Sequence, residues 1–160
     1  MTIMIPKTLV SLLLALSLTF VPAPHETSCK TYESCHVAWT GRQKEVIDSL
    51  EIGNDGLLRD ENGFVAAALG SAFGEVGSRW LFVLRQTDGY KLLRVIKADD
   101  KGAYTDDTGT YGSICGEIIE FIVDETKMPQ EANGYAYGGN LDKYEAVSGA
   151  VVGWIEWSTE

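Results

Sequence analysis

Five short apolar runs, separated by glycine-bearing turns, constrain this chain more than any other feature. They read FVAAALGS (64–71), RWLFVLRQ (79–86), YKLLRVIKA (90–98), EIIEFIVD (117–124) and AVVGWIEWS (150–158), with FGEVGS, TDGY and DDTGTYGS among the connections. Each has the length and the branched or aromatic content of a strand. One segment, RQKEVIDSLEIG (42–53), places Val46, Leu50 and Ile52 near helical spacing and predicts a short helix. The turn formers of NDGLLRDENG (54–63) end it. Residues 26–40 are polar and cysteine-bearing and read as an irregular arm. Short strands with so little helix predict an all-β barrel or sandwich.

The N-terminus carries Lys7 and then the apolar run LVSLLLALSLTFV (9–21). A positive residue before so short an apolar core reads as a secretory signal, since about 20 residues are needed to cross a bilayer, with a retained N-terminal anchor as the alternative. The expected division is a signal over 1–23, an N-terminal arm over 24–53 and one domain over 54–160. A secreted or cell-wall-associated protein follows, a monomer with no membrane contact once the signal is removed. The formal net charge is −10. That excludes nucleic acid as a partner, because phosphate binding needs a basic face, and it disfavours anionic lipid. Neutral sugars and peptides remain open. Cys29, Cys35 and Cys115 predict one disulfide and one free thiol or an intermolecular bond, with three pairings possible and Cys29–Cys35 the local one. His25, Cys29, Cys35 and His36 are close in sequence, but their spacing matches no zinc motif, and neither metal nor cofactor is expected.

Two strands place carboxylates among apolar neighbours. In EIIEFIVD, Ile118, Glu120 and Ile122 share one face, so Glu120 must be paired, at an edge, or held with a raised pKa. In LLRVIKADD, strict alternation puts Asp100 in line with Ile96 and Ala98, and Asp99 in line with Val95 and Lys97. One aspartate should then face a groove and the other solvent. The tyrosines of NGYAYGGNLDKY (133–144) offer stacking faces for sugar rings, whereas Trp80 and Trp154 read as core.

Ala98-Asp99-Asp100-Lys101-Gly102 resembles the A-acid-D-x-G segment of the 3D domains, double-psi β-barrels of bacterial cell-wall enzymes similar to the barrel of MltA-type lytic transglycosylases. Gly116–Ile122 resembles that family's G-x-x-I-D strand with Glu120 at its aspartate, and Gly77–Val83 its G-T-x-apolar strand. The family's first aspartate, expected near 64–68, is missing. The resemblance implies a six-stranded double-psi barrel acting on peptidoglycan. It also implies Asp100 as general acid/base, with Glu120 as its charged neighbour or second carboxylate. Asp99, Asp107, Tyr111, Tyr135 and Tyr137 are the expected substrate contacts. The alternatives are a non-catalytic, expansin-like polysaccharide-binding barrel and a structural protein cross-linked through its unpaired cysteine.

Overall fold

The computed structural model describes residues 4–5, 19–129 and 141–158. Among the described residues the chain is mostly strand with one α-helix. In order come β1 (Met4–Ile5), β2 (Phe20–Thr27), β3 (Thr31–Ser34), α1 (Gly41–Asp48), β4 (Glu51–Ile52), β5 (Leu58–Arg59), β6 (Val65–Leu69), β7 (Arg79–Gln86), β8 (Gly89–Asp100), β9 (Glu120–Val123) and β10 (Ala150–Trp157). All five apolar runs form strands. The helix is shorter than the spacing predicts: Ser49 Oγ donates to the Val46 carbonyl at its end, and Glu51–Ile52 leave it to pair with β5. The arm is not irregular, since β2 and β3 arise from it.

The strands form one mixed sheet in the order β2-β10-β7-β8-β6-β5-β4, with β9 bridging β6 and β3. Among the described residues it is not closed into a barrel. The expected six-stranded closure is replaced by a larger sheet because the arm adds strands at both sides: β2 lies antiparallel on β10, and β3 lies parallel on β9. β2 contains residues 20–23, so the expected cut after Ala23 falls inside a paired strand.

β6 is the junction. β8 runs parallel on one side of it, while β5 and then β9 run antiparallel on the other. A strand covered on both faces needs apolar residues at every position, which is why FVAAAL does not alternate. Val65, Ala67 and Leu69 join Phe73, Trp80, Phe82, Phe121 and Trp154 in one core cluster. Ala66 joins Phe64, Ile96, Ala98, Ile122 and the helix residue Val46 in a second. Trp80 and Trp154 are core residues, Phe73 meeting both edge-on. Among the described residues no helix is long and apolar enough to cross a membrane.

The disulfide joins Cys29 to Cys115 with a Cα–Cα distance of 6.3 Å and leaves Cys35 free. The local Cys29–Cys35 option is therefore not taken. Lys30, fully buried beside the disulfide, donates to the carbonyls of Ser28 and Gly149 and to Asp142. Burial lowers its pKa against the opposing pull of Asp142. Disulfide and ammonium together hold the arm to the loop after β8 and to the entry of β10.

Candidate active site: a carboxyl cluster over Ala68

The register of the sheet creates a row. Thr31 on β3 faces Glu120 on β9, Glu120 faces Ala68 on β6, and Ala68 faces Asp99 on β8. Strands lie about 4.8 Å apart, so Glu120 and Asp99 flank Ala68 with their Cα atoms about 10 Å from each other. A methyl group is all that fills the gap between them. Glu33, two residues beyond Thr31, shares its face of β3. Glu33, Asp99 and Glu120 are each half-buried, at a position that solvent reaches.

Asp99 enters this row because β8 bulges. The pairing runs Ala67 to Lys97 and then Ala68 to Asp99, leaving Ala98 as the extra residue. Strict alternation is broken there, and the two aspartates exchange the faces expected of them. Asp99 points toward Glu33 and receives the side-chain amide of Gln43 from α1 at 3.3 Å. Asp100 turns to the Lys97 side, where its carboxylate accepts from Lys97 Nζ at 2.7 Å and from the Gly102 N–H at 2.8 Å. Burial pulls the Asp100 pKa upward. The Lys97 hydrogen bond, the Gly102 N–H and the Lys97 charge outweigh it and hold the carboxyl below its ordinary value. Asp100 is thus an anion fixed to a buried ammonium that also binds the carbonyls of Gly70 and Gly74.

Glu33 has the opposite environment. Burial, then the charges of Asp99 and Glu120, then a hydrogen bond with Asp99 push its pKa to about 8, against a smaller pull from Lys101. At neutral pH it carries the proton and donates it to Asp99. Its Oε1 is buried without a hydrogen-bond partner among the described residues. Leaving a buried polar atom without a partner costs free energy. The Glu120 pKa is also raised, by burial first, with Lys101 opposing and Glu117 and Asp99 assisting.

One cation sits beside the cluster. Lys101 Nζ donates to Glu117 Oε1 at 2.9 Å, with both side chains almost fully buried. Glu117 is itself held by the Cys115 N–H at 3.0 Å. Burial raises the Glu117 pKa, but this N–H and Lys101 outweigh that and keep it ionised. The pair has room because residue 112 is glycine: a Cβ there would lie 1.9 Å from Glu117 Oε1 and 2.8 Å from Lys101 Nζ.

The remaining expected contacts lie elsewhere. Asp107 is exposed in the turn after the 3-10 segment Gly102–Tyr104, and its neighbour Asp106 pins that turn through the N–H groups of Thr110 and Tyr111. Tyr111 is buried and stacks on His25 with ring centroids 3.8 Å apart. Its hydroxyl donates to the His25 carbonyl and accepts the His25 N–H. Tyr111 therefore packs β2 against the loop. Tyr135 and Tyr137 lie outside the described residues. Sequence reasoning missed Glu33, since TYES in a polar arm carries no signal until β3 is seen beside β9.

Comparison with protein-family models, with curated proteins and with solved structures finds no match.

Proposed function

We propose that this protein is a secreted glycan-cleaving enzyme of the lytic transglycosylase type, acting on cell-wall peptidoglycan with Glu33 as its general acid and base. The observation that carries this reading is Glu33 itself: a carboxyl group protonated at neutral pH, with an orphaned oxygen, beside two further carboxyls at a position that solvent reaches. Glycoside cleavage needs an acid to protonate the leaving oxygen and negative charge to stabilise an oxocarbenium-like centre. Glu33 donates its proton as the glycosidic C–O bond breaks. The resulting carboxylate then takes the proton from the sugar hydroxyl that closes onto the anomeric carbon, which restores the acid and consumes no water. Asp99 and Glu120 supply the negative charge.

The kinship with the 3D domains belongs to this proposal. The parallel pairing of β6 with β8 supports it, because an up-and-down barrel would be antiparallel throughout. The position expected to hold the missing first aspartate falls on β6, and Glu33 reaches the space over Ala68 from β3 instead. The disulfide is in keeping with export to an oxidising compartment.

The test incubates wild type, E33Q, D99N and D100N with purified peptidoglycan and reads soluble fragments by mass spectrometry. Release of 1,6-anhydro-muropeptides by wild type and D100N, with E33Q inactive but folded by circular dichroism, supports the assignment. Ordinary reducing ends would change the mechanism to hydrolysis. Sedimentation with the wall and no release would make the protein a polysaccharide binder. Neither binding nor release would end the glycan reading.

A further inference from the structure

The second cluster of ligating side chains lies at the far end of β3 and β9. These strands run parallel with Ser34 beside Val123, so the residues that follow them leave the sheet together. Cys35-His36 and Asp124-Glu125 are thereby brought side by side, and the Cys35 N–H donates to the Val123 carbonyl at 2.8 Å. His36 Nε2 is 3.1 Å from Asp124 Oδ1, and one ligand atom from each of His36, Asp124 and Glu125 lies within 4.8 Å of the other two.

We propose that His36, Asp124 and Glu125 bind a divalent transition-metal ion, Zn²⁺ being the best fit, at a site independent of the carboxyl cluster. The three ligands differ usefully in rigidity. The Asp124 side chain is 5 % exposed, and Thr126 fixes its Oδ1 through both its N–H and its hydroxyl. It supplies an anchored oxygen. Glu125 is oriented by the Ser34 hydroxyl, which also accepts the His36 N–H. His36 stands on the outside, 55 % exposed. Ligands at about 2.1 Å from zinc stand about 3.4 Å apart, so no pair of the trio need close by more than about 1.4 Å. The exposed imidazole and the half-buried Glu125 supply that movement while Asp124 stays in place.

The donor set decides the metal. One imidazole and two carboxylates with an open, water-facing side suit Zn²⁺, and fall short of the six to eight oxygens that Ca²⁺ takes. Cys35 packs against the apolar cluster under α1, so the site is one of nitrogen and oxygen and not of thiolate.

The experiment titrates Zn²⁺ into the purified protein by calorimetry, with Mg²⁺ as the control ion and H36A, E125Q and C35S as variants. The expected result is one saturable Zn²⁺ site, weakened at least tenfold in H36A and in E125Q and unchanged in C35S. Zn²⁺ should also raise the thermal midpoint of wild type and not of H36A, since binding to the folded state alone is stabilising. His36 is exposed, and E125Q keeps the shape of the side chain and an oxygen for the Ser34 hydroxyl, so both variants keep the fold. Absence of saturable binding, equal affinity in H36A, or loss in C35S with retention in H36A would each overturn the proposal.

Discussion

Glu33 links the site to the stability of the chain. Its ordinary value of 4.5 rises to about 8 in the folded protein. Between those limits the folded state holds a proton that the unfolded chain has released, so stability falls as pH rises. The contribution is complete below about pH 4.5 and lost above about pH 8. With screening at a half-buried position it is on the order of 1–2 kcal/mol. Urea midpoints measured at pH 5 and pH 8.5 should therefore converge more closely in E33Q than in wild type. An equal spread in both would show that Glu33 titrates normally. Residue types alone pointed to the neighbourhood: Glu120 between isoleucines and the aspartate pair were legible as carboxylates out of place. That the proton sits on Glu33, outside that set, was not, because a pKa is set by neighbours in space.

At the scale of elements, a single extra residue decides the chemistry of β8. Ala98 bulges, and the aspartates after it exchange faces. D99N removes a negative charge and a hydrogen-bond partner from Glu33, and should lower the Glu33 titration midpoint seen by carbon NMR. D100N should leave it near 8. The reverse pattern would place Asp100 over Ala68 and refute the bulge. β2 makes a second prediction. Gly153 has no Cβ because the Phe20 ring lies against it, with ring carbons 2.3 and 2.5 Å from where a Cβ would stand. Phe20, Val21 and Pro22 pair with Ile155, Trp154 and Gly153. A chain beginning at residue 24 should be less stable than one beginning at residue 19 by about 1–2 kcal/mol, the scale of one buried large apolar side chain. Thermal melts of the two would measure it, and N-terminal sequencing of the protein isolated from its native source would show which form the cell makes.

At the scale of the whole molecule, the Cys29–Cys115 bond spans 86 residues and encloses most of the sheet, including α1 and β3 to β8. A loop of that length corresponds to about 4.6 kcal/mol by chain entropy. Reduction or C115S should lower the urea midpoint accordingly, and peptide mapping should show Cys35 alkylated without reductant. Mapping that recovers a Cys29–Cys35 peptide would contradict the fold of the arm. Local pattern sufficed for five strands, one helix and the buried tryptophans, because alternation, β-branching and glycine turns act between residues near in sequence. It did not suffice for the arm, whose polar residues become strands only against partners some 90 to 130 positions away. Nor did it suffice for the site: Glu33, Ala68, Asp99 and Glu120 meet through register, and a bulge of one residue moves every side chain beyond it to the other face. Alternation, β-branching and residue type along the chain are enough to make it a sheet with surplus carboxylates near its strand ends. Tertiary structure decided that the sheet stays open and that the proton sits on Glu33, because closure and pKa both depend on which distant strands lie side by side.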